Sequence, residues 1–222
     1  MTIVEPQACN KRSPVYRQHE NASFELMCDG AQSLSTLNDS KQQVAKGGLI
    51  DLSVLSRCGG RGPNIGAWLN KENLPVPAVP NQAMQTASGQ TVLRLSKTEY
   101  WLLSNPLLPD EAVADIYTAG EGCYSVYCED GRSWFVLTGE TKTDVMAKVC
   151  GVDLREVNFP VGAVVQTAFA RVNGVILHHA IGKNKVFSIF SDSASAEYLW
   201  LSLLDAMSEF GGAEIGLSML LE

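Results

Sequence analysis

Two stretches of this chain echo each other. In "RCGGRGPNIGAWL", Gly62 precedes a helix-like segment in which Trp68 and Leu69 are apolar. In "FVLTGETKTDVMAKV", Gly139 precedes one in which Val145 and Met146 hold the same offsets. Each segment leads to a Pro-containing link, then to paired strand-like runs, then to another helical pattern. The order strand, helix, strand, strand, helix thus occurs twice. Such a repeat points to an α+β fold with antiparallel sheets, made of two similar halves. The expected organisation is an irregular arm over residues 1–45 and one compact domain over 46–222. The halves of that domain run from about 46 to 120 and from 121 to 222.

Local signals place the elements. The arm is polar, with one strand expected around Phe24 to Cys28. "GGLIDLSVLSR" reads as a strand ending in a glycine-rich turn, and Pro63 fits an early helical position because it has no N–H to leave unsatisfied there. "LPVPAVPN" cannot be regular helix. Two apolar runs around Ser96-Lys97-Thr98 suggest a hairpin, and "PDEAVADIY" suggests a short helix with acids in its first turn. Asp130-Gly131 and Asn173-Gly174 each sit between strand-like runs, where both residue types tolerate positive φ, so a hairpin is expected at each. "KVFSIF" reads as a further strand. The longest helix is expected in "SDSASAEYLWLSLLDAMSEF", with Ala196, Leu199, Trp200, Leu203 and Met207 as its core stripe and Asp192 or Ser193 as its cap.

Charge and cysteine usage narrow the function classes. Seventeen basic against 24 acidic residues leave a net charge of −7. Such a chain repels nucleic-acid backbones and anionic membranes, so neither is an expected partner. No apolar run reaches membrane-spanning length, and no signal-peptide stretch opens the chain. The six cysteines form no C-x-x-C pair, and Cys123 and Cys128 have no histidine beside them; unpaired thiols in a reducing cytoplasm, and no metal site, are expected.

Recognised catalytic patterns are missing. A phosphate loop needs G-x-x-x-x-G-K-[ST], and no Lys-Ser or Lys-Thr follows the glycines here. Gly60, Gly62 and Gly66 are spaced too widely for a dinucleotide fingerprint. The shared need at Gly62 and Gly139 is a tight strand-to-helix turn. His178 and His179 are consecutive on a strand, so they point to opposite faces, and at least one is expected to be exposed. No G-x-S-x-G elbow occurs. Glu197 reads as a solvated or capping acid, and the four tryptophans as core or interface residues. No catalytic residue is assigned. Asn81, Arg94 and Gln166 are polar residues on otherwise apolar or Pro-rich stretches, and are the candidates for lining a ligand cleft; solvated strand faces are the other reading.

A set of segments in fixed order covers nearly the whole chain: "RSPV", "DLSVLSRCGGRGPNIGAWL", "LPVPAVPN", "LRLSKTEYWLL", "FVLTGETKTDVMAKVCGVDL", "FPVGAVVQTAFARV" and "SASAEYLWLSLLDAMSEFG". The set resembles the gamma subunit of heterotetrameric sarcosine oxidase. That family is itself similar to the folate-binding part of the glycine-cleavage aminomethyltransferase. The resemblance implies a pair of ferredoxin-like units. It also implies a small non-catalytic subunit of a complex that demethylates sarcosine to glycine and passes the one-carbon unit to tetrahydrofolate. Flavin, NAD and tetrahydrofolate are implied for the larger partner subunits, and no cofactor for this chain. The aminomethyltransferase places carboxylates next to folate, but the matching regions here, "SGQTVLRLS" and "HHAIGKNKVFSIF", contain none. A pterin N–H edge without an acceptor loses affinity. Two other readings stay open: a free-standing folate-like binder or one-carbon transferase, and a dimeric scaffold without a ligand. The isolated chain is expected to form homo-oligomers.

Overall fold

The computed structural model describes residues 2–116 and 119–221. The elements, in chain order, are β1 (Lys11–Arg12), β2 (Ser23–Met27), β3 (Gly30–Ser35), α1 (Lys41–Lys46), β4 (Gly48–Asp51), β5 (Arg57–Arg61), α2 (Ile65–Lys71), β6 (Gln82–Gln85), β7 (Thr91–Arg94), β8 (Glu99–Leu103), β9 (Tyr124–Val126), β10 (Arg132–Thr138), α3 (Lys142–Val149), β11 (Val164–Phe169), β12 (Val172–Ile181), β13 (Asn184–Asp192), α4 (Ala196–Ser208), β14 (Ala213–Glu214) and α5 (Ser218–Leu221). The fold is mixed α+β, and its two large sheets are antiparallel except where β14 joins β4.

The two sheets share an internal order. The five-stranded sheet runs β6-β7-β8-β5-β9, and the six-stranded sheet β11-β12-β13-β10-β4-β14. In each, a strand leads through a helix into three further strands, which return to pair in the same sequence. The strand preceding each series lies in the opposite sheet: β4 precedes β5 but pairs with β10, and β9 precedes β10 but pairs with β5. The chain therefore crosses between the sheets at 52–56 and again at 127–131.

Buried Arg57 pins both crossings. Its guanidinium donates to Ser53 O (2.9 Å), Leu55 O (3.0 Å), Cys128 O (3.1 Å), Glu129 O (2.5 Å) and Arg132 O (2.6 Å). Carbonyls from both segments thus replace the water lost when this charge is buried.

Alternation along the strands sorts apolar side chains into three layers of contact. Leu93, Trp101 and Leu103 on one inner face meet Trp134, Leu177 and Phe190 on the other. Phe135, Leu137, Ile176 and Phe187 turn outward onto Val145, Met146, Trp200 and Leu203 of α3 and α4. Val92, Tyr100 and Leu102 turn outward onto Ile65, Trp68 and Leu69 of α2. The result is a helix–sheet–sheet–helix stack. Each large side chain fully removed from water contributes about 1.5–3 kcal/mol to it. The stripe expected on α4 is the buried one, and the Asp192 carboxylate accepts from Ala194 N (2.9 Å) in the 3₁₀ turn that leads into the helix.

Several local expectations are corrected. "GGLIDLSVLSR" is two strands, β4 and the start of β5, because the chain changes sheets within it. Asp130-Gly131 lies in a turn, but β9 and β10 belong to different sheets, so no hairpin forms there. The β11–β12 hairpin turns about three residues earlier than expected, at Ala170 and Arg171, with φ of 45° and 64°. Asn173 and Gly174 lie inside β12. A Cβ on Gly174 would sit 2.1 Å from Phe190 O, so packing rather than turning requires that glycine. Residues 111–115 are not helical. Val113 N bonds to the Ser56 hydroxyl and Ala114 O accepts from the Cys58 thiol, which draws this segment along the five-stranded sheet. Tyr117, the expected end of that helix, lies outside the described residues. The arm holds a three-stranded sheet, β1-β3-β2, instead of one strand in irregular chain.

Candidate functional site

The glycines that most resemble a phosphate loop are occupied by the fold. Cys58, Gly59 and Gly60 pair with β8, and Gly59 and Gly60 also pair with β9. A Cβ on Gly60 would meet Ile65 and Ile116 at 2.7 Å. Gly62 has φ of 142°, and a Cβ there would lie 2.0 Å from Gly122 O. Its N–H donates to Thr98 O (2.9 Å), so the turn holds no fan of free amides. Gly139 meets the same demand before α3, with φ of 93°. Both turns close three residues on, where Ile65 N and Lys142 N donate to Gly62 O and Gly139 O.

The cleft that gathers polar side chains lies where the inter-sheet core opens to solvent. Its volume is about 450 Å³. Leu95, Trp101, Val175 and Phe190 form its apolar part, and Arg61, Glu99, Arg132, Gln166 and Asn173 supply its polar groups. Alternation explains the set. Gln166 lies opposite Val175, which lies opposite Phe190; Arg132 stands two residues before Trp134 on the same face of β10. From the other sheet, Glu99 and Trp101 share a face of β8. Trp101 meets Phe190 edge to face at 5.6 Å, which ties the two sheets at this point. Arg61 donates to Glu99 through Nε (3.0 Å) and Nη2 (2.5 Å).

Of the three residues proposed from sequence, Gln166 lines this cleft. Its side-chain amide donates to Asn81 Oδ1 (2.9 Å) and to Leu95 O (2.8 Å). Asn81 is thereby brought next to it, with φ of 62° and its own N–H on Arg94 O (2.7 Å). The Arg94 side chain is elsewhere. It donates to the carbonyls of Pro77, Ala78, Ser96 and Lys97 and lies over the Tyr100 ring at 5.4 Å. Arg94 fastens the Pro-rich link to the outer side of its sheet.

Both strand histidines are buried, which corrects the expectation that one would be exposed. They do point to opposite faces, but β12 is covered on both. His178 Nδ1 contacts Phe159 O (2.7 Å), and burial lowers its pKa. Trp134 Nε1 donates to the Ser188 hydroxyl (2.9 Å), and the same hydroxyl is hydrogen-bonded to His179 Nε2 (2.8 Å). Burial holds the His179 pKa at about 3, so the ring is neutral. All four tryptophans are core residues, at most 5% exposed.

Sequence reasoning missed a buried ionic cluster. His19, from the arm, lies 2.9 Å from Asp51 Oδ2 and 2.6 Å from Glu214 Oε1. Burial opposes its charge, but the hydrogen bonds and charges of Asp51 and Glu214 outweigh that and raise the pKa to about 9. Burial also works against the Asp51 charge; the His19 bond prevails and keeps that carboxyl below its usual range. The cluster joins the arm to β4 and β14. No local signal marks it, since the three residues are far apart in sequence. All six cysteines are free thiols, and among the described residues no group of three or more His, Cys, Asp and Glu side chains, this cluster included, has an arrangement that could hold a metal ion. No helix among the described residues is long and apolar enough to cross a membrane.

Comparison with known proteins shows what this fold is similar to. A chain of the heterotetrameric sarcosine oxidase from Corynebacterium sp. U-96, in complex with pyrrole 2-carboxylate, is similar with a TM-score of 0.68 at 20% identity, over 93% of this chain and 99% of that one. The glycine cleavage system aminomethyltransferase T from Bartonella henselae is similar with a TM-score of 0.72 at 20% identity; the match covers 95% of this chain but 60% of the enzyme. At such identity the likeness shows the fold. No curated protein matches in sequence. The sarcosine oxidase gamma subunit family matches residues 72–209, more than half of the chain, and the protein therefore belongs to that family.

Proposed function

We propose that this chain is a small, non-catalytic subunit of a heterotetrameric sarcosine oxidase, a complex that oxidatively demethylates sarcosine to glycine and passes the one-carbon unit to tetrahydrofolate. The carrying observation is membership of the gamma subunit family, with a fold that matches nearly all of one sarcosine oxidase chain. On this reading the flavin, NAD and tetrahydrofolate sites lie in larger partner subunits, and this chain contributes packing and assembly in the cytoplasm. The decisive experiment is co-expression with the flavoprotein subunits. The expected result is a stable complex whose sarcosine-dependent reduction of an electron acceptor falls when this chain is omitted. Full activity and an unchanged complex mass without it would overturn the proposal.

The shared strand order supports a finer reading of the fold, in which residues 46–120 and 121–222 are duplicated ferredoxin-like units. The exchange of β4 and β9 between them is what a duplicated, interlocked pair would show.

The likeness to the aminomethyltransferase favours one rival, a free-standing folate-like binder or one-carbon transferase. Its weakness is chemical. Among the described residues that line the cleft, the one carboxylate, Glu99, is already bound by Arg61, which leaves none of them as a free acceptor acid for a pterin N–H edge. Calorimetric titration with tetrahydrofolate discriminates: the subunit reading expects weak binding or none, and tight binding would favour the rival.

A further inference from the structure

We infer that the mouth of the inter-sheet cleft is a binding site for a small organic monocarboxylate, with Arg132 as its anchor. Arg132 opens β10. Its backbone is fixed, pairing with Asp192 and accepting from Arg57, yet among the described residues its guanidinium has no hydrogen-bond or ion-pair partner. Asp192 stands opposite it in the ladder but turns its carboxylate to Ala194 N. Arg61, the other cleft arginine, is engaged by Glu99. Arg132 is thus a half-buried cation, fork-shaped for a carboxylate and unclaimed by the fold.

A second orphan donor belongs to a residue that lines the same cleft, and it is buried beneath the cleft surface. Trp101 is 3% exposed, and its indole N–H has no acceptor among the described residues. Trp68 and Trp200 also hold unpartnered indoles, but neither lines this cleft. A buried donor left without an acceptor is costly, so one supplied by a ligand is favourable.

Charge and shape then select the ligand. Among the residues that line the cleft, Arg61 and Arg132 stand against Glu99, one positive charge in excess, with Asp192 beside Arg132 but outside the lining. That balance suits a monoanion and disfavours a dianionic phosphate, which Glu99 repels. The apolar part, Trp101 and Phe190 above all, suits an aromatic or branched body attached to the carboxylate. The cleft's volume, about 450 Å³, falls among ordinary small-molecule sites of roughly 300–1,000 Å³.

The test titrates the ¹⁵N-labelled full chain with benzoate, and with benzamide as its uncharged counterpart, following the Trp101 indole N–H by NMR. The Trp134 indole, held by Ser188, is the internal control. The expected result is a saturable shift of Trp101 with benzoate. Affinity should be at least about tenfold weaker for benzamide and in Arg132→Gln, with Arg132→Lys in between. Absence of a saturable benzoate shift overturns the inference. So does an equal response to benzamide, measured on the unaltered chain, and so does a folded Arg132→Gln protein that binds as before. The same titration on the complex with the larger subunits separates a free ligand from a partner's acidic side chain. Retained binding supports the inference; loss through a partner carboxylate on Arg132 overturns it.

Discussion

Two residues show how much one buried contact decides in this molecule. His19 is charged because two carboxylates surround it, and its stabilising contribution depends on pH in a fixed direction. A group whose pKa is raised on folding contributes fully below its unfolded value, about 6.5 for histidine, and that contribution fades as pH rises through the folded value of about 9. Asp51, whose pKa is lowered, contributes above the ordinary carboxylate range and loses its share as pH falls through its folded pKa. Chemical denaturation should therefore show stability falling between about pH 6.5 and pH 9, by on the order of 3 kcal/mol. His19→Gln should remove most of that alkaline loss. An unchanged alkaline slope in the variant would show that the cluster does not control it. Gly62 acts through space instead of charge. Gly62→Ala places a methyl 2.0 Å from the backbone at Gly122 and holds alanine at φ of 142°. The loss should be on the order of 3 kcal/mol, read as a lower denaturation midpoint with an unchanged m-value.

At the scale of elements, turn chemistry was the least dependable guide. Asp130-Gly131 and Asn173-Gly174 are both favourable hairpin pairs, yet one lies between sheets and the other within a strand. The chain turns at Ala170-Arg171 because the β11–β12 register, set by Val164 opposite Leu177 and Phe169 opposite Val172, leaves those two residues to close it. Neither is a good left-handed residue. The double change Ala170→Asn and Arg171→Gly should stabilise the protein by about 1 kcal/mol, read as a higher melting temperature. A lower one would mean that the Arg171 side chain contributes more than its backbone conformation costs. The helices α2, α3 and α4 were more legible, unlike the one expected over 109–117. The stripe of α4 and the three-residue offset from Gly62 to α2 and from Gly139 to α3 follow from apolar spacing and backbone sterics, which are local.

For the whole molecule, self-association is the property that bears on a subunit role. Burial of all four tryptophans takes them out of any interface, so apolar contact with partners rests on other residues. Tyr198 and Leu201, on the outer face of α4, are 51% and 48% exposed. Light scattering on the isolated chain is expected to show a dimer or larger species, weakened by Tyr198→Ser with Leu201→Ser. A strictly monomeric mass at every concentration would remove this physical support and leave assembly resting on family membership.

The sequence by itself determined the α+β class, the family, the two glycine turns and the core stripe of α4. Each rests on local spacing, local sterics or collinear resemblance, and such signals do not depend on what the chain meets later. Only the tertiary structure decided which sheet each strand joins. β4 and β9 cross between the sheets because Arg57 and two inward apolar faces hold both crossings together. That arrangement opens the cleft between Trp101 and Phe190, directs Arg94 away from it, leaves Arg132 without a hydrogen-bond or ion-pair partner among the described residues, and encloses His19, Asp51 and Glu214. These contacts join residues far apart along the chain, and their free energy is set by burial and charge, which exist only once the sheets have closed on each other.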